Sequence, residues 1–130
     1  MKFLLLVVLI WEFSPIQLRA QDNMEFEFFS FSELIKKREE TGRSYYRFFD
    51  NESWSAGLYH LGEGLLDEQS PHELDEVYYV ISGTGFLKIN DKDYKVSKNK
   101  LFFVEKNVEH FFHGNTNELK VLYFFGGPDS

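Results

Sequence analysis

Between Trp54 and Phe125 the chain breaks into seven short runs of β-favouring residues: Trp54–Leu61, Glu76–Ser82, Gly85–Asn90, Tyr94–Ser97, Leu101–Glu105, His110–His113 and Leu119–Phe125. Polar or glycine-rich breaks separate them, as turns separate strands. The break Asn90-Asp91-Lys92-Asp93 reads as a hairpin turn, because Asn and Asp tolerate the left-handed backbone such turns demand. Many short strands at this spacing make a sandwich or a barrel. An aromatic content of 18%, with 15 Phe, 7 Tyr and only 3 Pro, suits half-buried strands better than a helical bundle. At 130 residues and 43% hydrophobic, the chain has room for one globular domain.

Upstream of the strands the character changes. Lys2 is followed by an apolar run from Phe3 to Trp11 and a polar stretch ending Leu18-Arg19-Ala20, which reads as a secretory signal peptide over residues 1–20. The apolar run is far short of the ~20 residues that cross a bilayer, so no membrane anchor is expected once the signal is cleaved. The protein is then secreted or periplasmic; with Met24 as the true start it is cytoplasmic instead. Residues 21–53 form an arm with one short helix over ~31–41. Ser30 and Glu33 have capping-box spacing, Leu34 and Ile35 give an apolar side, and Thr41-Gly42 supplies a stop. The helix residues Lys36, Lys37, Arg38, Glu39 and Glu40 read as a solvated face. Residues 54–126 are the barrel.

Charge and cysteine content narrow the chemistry. A formal charge of −7 offers no counter-charge to phosphates, which argues against nucleic acid and anionic membranes as partners. Cleavage after Ala20 removes two basic residues and one acidic one, so the acidic character belongs to the domain. With no Cys, the chain has no disulfide, thiolate nucleophile or Cys-ligated zinc, and a metal must rest on His, Asp and Glu. No Ser/His/Asp signature or phosphate-cradling glycine loop is present.

The four histidines and their spacing to carboxylates carry the functional argument. His72 and Glu76 flank Glu73-Leu74-Asp75, and His110 lies 34 residues beyond Glu76. In one continuous strand His72 and Glu76 would sit ~13 Å apart, too far to share an ion with ligand bonds near 2 Å. Glu73–Asp75 is therefore expected to turn, with His72 ending one strand and Glu76 starting the next. In His110-Phe111-Phe112-His113 alternation puts His110 and Phe112 on one face and sends His113 to the outer surface. His60 is a lone strand histidine with no ligand partner in sequence.

The stretch GLLDEQSPHELDEVYYVISG resembles the first motif of the cupin family: Gly64, His72, Glu76 and Gly83 stand at its spacing, while Ser70 stands where its first His belongs. The family's second motif falls on NKLFFVEKNVEHFFHG, where His110 keeps its identity. Asn99 and Asn107 replace glycines, a mild change because Asn is a frequent substitute at positive φ. Glu105 replaces a proline, and Asn115 stands one place past the motif's terminal Asn. The resemblance implies an all-β fold, the double-stranded β-helix or jelly-roll barrel. It also implies one divalent metal ion near the barrel mouth, held here by His72, Glu76 and His110. Two imidazoles and one carboxylate suit Fe, Mn, Ni or Zn.

Gln69, Ser70, Tyr78 and Phe112 are expected to border the ligand pocket or to support the metal ligands. The expected function is a metal-binding cupin that binds or acts on a small organic molecule in the barrel, an oxygenase or isomerase if an enzyme. The alternative is a non-enzymatic module, a small-ligand sensor or a structural dimer, with a remnant site. The Phe102-Phe103 and Phe124-Phe125 pairs read as strands covered on both faces, and a homodimer is expected from them.

Overall fold

The structure, a computed structural model, describes residues 26–127; the signal-peptide reading of residues 1–20 lies outside them. The described residues form one helix, α1 (Phe31–Thr41), and eight strands. These are β1 (Tyr45–Asp50), β2 (Ser55–Leu61), β3 (Glu76–Ser82), β4 (Gly85–Ile89), β5 (Lys92–Val96), β6 (Leu101–Val104), β7 (His110–His113) and β8 (Leu119–Phe125). A five-stranded sheet runs in the order β1-β2-β8-β3-β6 and a three-stranded sheet in the order β5-β4-β7, with antiparallel pairing throughout. This is the all-β jelly-roll fold that the motif resemblance implies, and a barrel of the kind that the strand pattern predicts.

Period-two alternation decides which side chains enter the space between the sheets. On β8, Leu119, Val121, Tyr123 and Phe125 are buried and their neighbours half-buried. On β3, Glu76, Tyr78 and Val80 point inward, and on β7, His110 and Phe112 do. Two of these inward positions, Glu76 and His110, carry ionisable groups at 3% and 2% exposure. A core that spends two interior positions on charge must satisfy them locally.

Asparagine serves the tight turns. Asn90, Asn99 and Asn107 have φ of 53°, 66° and 64°. The β4–β5 hairpin is tighter than the four-residue turn expected, because Ile89 pairs directly with Lys92 and leaves only Asn90-Asp91 at the tip. At Gly57 a Cβ would lie 2.1 Å from the Tyr123 ring, so the absent side chain is what lets Tyr123 lie across β2.

Several expectations are corrected. The arm contains a strand as well as the helix: β1 pairs with β2, with a register irregularity between Arg47 and Phe49. That irregularity breaks the alternation of YYRFFD and hides the strand from a pattern reading. The helix has the expected bounds and a left-handed Gly42 cap, but Ser30 makes no side-chain cap; its Oγ bonds Ser32 Oγ at 2.9 Å. Arg38 leaves the solvated face: its side chain is 14% exposed. His72 does not end a strand. It lies in the 62–75 connection between β2 and β3, and a bend at Glu73-Leu74 leads into Glu76. In the single chain Phe125 is buried and Phe102 and Phe124 are half-buried, whereas Phe103 is 64% exposed beside Leu101 at 67%, the face on which a partner subunit is expected.

Candidate metal centre and cavity

The 62–75 connection owes its course to backbone hydrogen bonds at both ends. Asn115 Nδ2 donates to Gly62 O at 2.8 Å, and Gly64 N donates to Asn115 O at 3.1 Å. At the far end Asn107 N donates to His72 O at 2.7 Å, Lys106 N to Asp75 Oδ1 at 2.9 Å, and Gly126 N to Asp75 O at 3.0 Å. The turn after β6 thus fixes His72 against the barrel. Its ring packs edge-on to Phe125, centroids 4.8 Å apart, and 5.5 Å from the His110 ring.

The sequence-expected trio comes together. Glu76 Oε2 lies 3.2 Å from His110 Nε2 and 3.6 Å from His72 Nε2, and one ligand atom from each residue lies within 4.8 Å of the others. Ligands ~2.1 Å from a common ion are ~3.0 Å apart at right angles and ~3.4 Å at the tetrahedral angle. The two Glu76 edges therefore match the spacing of a coordination shell.

Tautomers support the same reading. His110 Nδ1 lies 2.8 Å from Val108 O, and a carbonyl only accepts, so Nδ1 carries the proton. A neutral His110 then turns the Nε2 lone pair towards Glu76 Oε2, itself an acceptor. A cation must lie between them, either a proton or a metal ion. Desolvation alone would lower the His110 pKa, but the Glu76 hydrogen bond, the Val108 carbonyl and the charges of Glu76 and Asp67 outweigh it and raise the pKa. The same field favours a cation at that point.

The four supporting residues fare differently. Tyr78 is buried, its hydroxyl 3.0 Å from His110 Nε2 and donating to Gln69 Oε1 at 2.9 Å. Burial, reinforced by Glu76, pushes that hydroxyl well above its ordinary pKa and keeps it a donor. Gln69 Oε1 also lies 3.2 Å from His72 Nε2. Ser70 is exposed, beside Pro71. Phe112 is fully buried in the core, its ring 5.0 Å from that of Tyr78; it meets the site through its backbone, whose N–H donates to Asp67 Oδ2 at 2.7 Å.

Asp67 escaped the sequence reading, as did five of the residues that line the cavity, Tyr45, Arg47, Tyr59, Tyr123 and Phe125. A cavity of about 310 Å³ opens beside the trio, lined by Tyr45, Arg47, Tyr59, Tyr123 and Phe125 together with Gln69, His72, Glu76 and Tyr78. Its rim comes from β1, the strand hidden by its bulge. Outside the site, His113 lies on the outer surface as expected, bonded to Asp93 Oδ1 at 2.8 Å, and His60 faces Glu118 at 3.5 Å, away from the trio.

The family profile of the cupin domain matches residues 57–125. The chain belongs to the cupin family. An uncharacterized protein of Streptomyces coelicolor is 34% identical over 102 residues, covering 78% of this chain and 97% of that protein. Among solved structures, KdgF from Halomonas sp. superposes with a TM-score of 0.59 at 16% identity, over 66% of this chain and 80% of its own. An RmlC-like cupin from Shewanella frigidimarina gives 0.59 at 18%, over 65% and 75%. The DMSP lyase DddQ from Ruegeria pomeroyi gives 0.60 at 16%, over 64% of this chain and 46% of its own. At these identities the likeness is one of fold.

Proposed function

We propose that this cupin holds one divalent ion on His72, Glu76 and His110 and binds, and acts on, a small organic molecule in the adjoining cavity. The observation that carries the reading is the meeting of three ligand atoms from a loop, β3 and β7 beside an open cavity of about 310 Å³. A remnant site plugged by Tyr78 and Phe112 would serve a non-enzymatic module better. Phe112 instead lies in the core and leaves the cavity open.

Two imidazoles and a carboxylate accept Fe, Mn, Ni or Zn. When bound, such an ion supplies Lewis acidity or a site for dioxygen. The chain's own groups then divide the work. Tyr78 offers a proton-bearing hydroxyl at the ligands, the aromatic walls of Tyr45, Tyr59, Tyr123 and Phe125 suit a planar or apolar body, and Arg47, an exposed wall residue that also pairs with Asp50 Oδ2 at 3.4 Å, suits a carboxylate. DddQ is a lyase on this fold, and the likeness leaves the reaction to be argued from the site's own groups.

Elemental analysis of protein purified without a His tag tests the metal. Near-stoichiometric metal in the parent, absent from His72→Ala and Glu76→Ala variants that keep the parent's circular dichroism, is expected. A parent that stays metal-free after supplementation refutes the reading.

A further inference from the structure

We propose that the carboxamide oxygen of Gln69 is a fourth, neutral ligand to the ion, standing in for the side chain that Ser70 does not supply, and that Asp67 is its positioning residue. The inference rests on the metal-site reading above. It starts from the orientation of one amide.

Gln69 Nε2 donates to Asp67 Oδ2, and the Gln69 backbone N–H donates to Asp67 Oδ1 at 3.3 Å. Asp67 is itself held by the Tyr59 hydroxyl at 2.8 Å and the Phe112 N–H at 2.7 Å. Four donors therefore surround a carboxylate that can only accept, and the Gln69 amino group has to face it. The amide cannot flip without turning Oε1 onto Asp67, acceptor against acceptor. Oε1 is thereby aimed at the site.

An amide oxygen has two lone-pair directions. One receives the Tyr78 hydroxyl at 2.9 Å; the other faces His72 Nε2 at 3.2 Å. If His72 is to bind an ion through Nε2, that nitrogen carries a lone pair, and two lone pairs at this distance repel unless a cation lies between them. The Gln69–His72 separation equals the Glu76–His110 separation of 3.2 Å and falls within the ~3.0–3.4 Å of neighbouring ligands around one ion. The motif position itself, Ser70, is exposed.

The consequence is a set of two nitrogens and two oxygens in place of an imidazole-rich one. Oxygen donors make the site harder and so compatible with Mn and Fe, although at equal availability the affinity order still rises from Mn to Cu, so metal supply decides between them. The ion keeps fewer positions for water than a three-ligand site would.

Mn(II) titration followed by electron paramagnetic resonance gives the affinity. Pulsed measurements in ¹⁷O-enriched water count the waters on the bound ion. In Gln69→Ala the affinity is expected to fall at least about tenfold, with one additional water on the ion. An unchanged water count overturns the assignment even where affinity falls, because Gln69 then acts only through His72.

A second measurement needs no variant. Gln69 is the sole glutamine besides Gln17 and Gln21, so parent protein carrying ¹³C at the glutamine side-chain carbonyl should show a ¹³C hyperfine coupling to bound Mn(II). Absence of that coupling in Mn-loaded parent also overturns the assignment. A parent that binds no divalent ion refutes the metal reading itself, an outcome distinct from both.

Discussion

Asp67→Asn changes one atom of the site's scaffold and keeps the side chain's shape. The carboxylate accepts from Tyr59 Oη, Phe112 N, Gln69 N and Gln69 Nε2. An asparagine offers one acceptor oxygen and an amino group, so at least one of these donors meets another donor. Bonds to a charged acceptor contribute ~1.5–3 kcal/mol and neutral ones ~0.5–1.5, and an orphaned buried donor costs a further ~1–3 kcal/mol. Asp67 is only half-buried, so solvent recovers part of this loss. A destabilisation of about 2–3 kcal/mol follows, measured as the shift in urea midpoint at unchanged slope.

The variant also has a local signature. The amino group introduced at position 67 attracts Gln69 Oε1, so the Gln69 amide turns and points its own amino group at the metal ligands. Metal affinity is therefore expected to fall with Asp67→Asn as far as with Gln69→Ala, and the double variant to be no worse than either. Tyr59 reports independently. Burial and then Asp67 raise its pKa, and losing the charge lowers it towards its ordinary range in a spectrophotometric titration. A destabilisation below about 0.5 kcal/mol, or additive effects in the double variant, refutes Asp67 as the anchor of Gln69.

Other perturbations probe separate parts of the fold. Burial first, then Arg38, lowers the His60 pKa, while Glu118 opposes them and Lys120 adds to the lowering. The folded state thus resists a proton that the unfolded chain accepts near pH 6.5, and stability falls as pH drops through that value. His110, with a raised pKa, contributes in the opposite sense, so the comparison with His60→Gln isolates His60. The variant's loss of melting temperature between about pH 7 and 5 should be smaller than the parent's, and an equal loss refutes the assignment. Gly57→Ala forces a Cβ to within 2.1 Å of the Tyr123 ring; overpacking of ~1–3 kcal/mol by urea unfolding is expected, and a neutral result would show that Tyr123 moves freely. Arg47→Gln should abolish a roughly two- to fivefold calorimetric preference of the metal-loaded protein for benzoate over benzamide, the scale of an exposed ion pair; a parent without the preference refutes the carboxylate reading. For the proposed homodimer, sedimentation should give a dimeric parent and a monomeric Phe103→Glu, and a monomeric parent refutes it.

What could be read from the sequence follows from how far each determinant reaches along the chain. His72, Glu76 and His110 were legible because they stand at the spacing of the cupin motifs, and alternation in a four-residue strand fixed the face of His110. Asn99 and Asn107 were legible because they stand where the second motif has glycines, and positive φ, once demanded there, is a property of one residue. β1 was not. The irregularity at Phe48 adds a residue to one strand and destroys the period that identifies it, so Tyr45 and Arg47, both on the cavity rim, were lost with the strand. Asp67 was harder still, because its partners lie at Tyr59, Gln69 and Phe112, and no local pattern connects positions 45 residues apart.

That difference bears on how the site should be read. Ser70 at a position where a ligand belongs looks, along the chain, like a lost site. In three dimensions the neighbouring Gln69 is turned inward by a carboxylate that has no motif of its own, and its oxygen reaches His72 Nε2 at 3.2 Å. A motif records which side chains touch an ion in most members of a family; it does not record what orients them. A substitution in the motif therefore removes a ligand only when no neighbour is held in a position to replace it, and here Asp67 holds one.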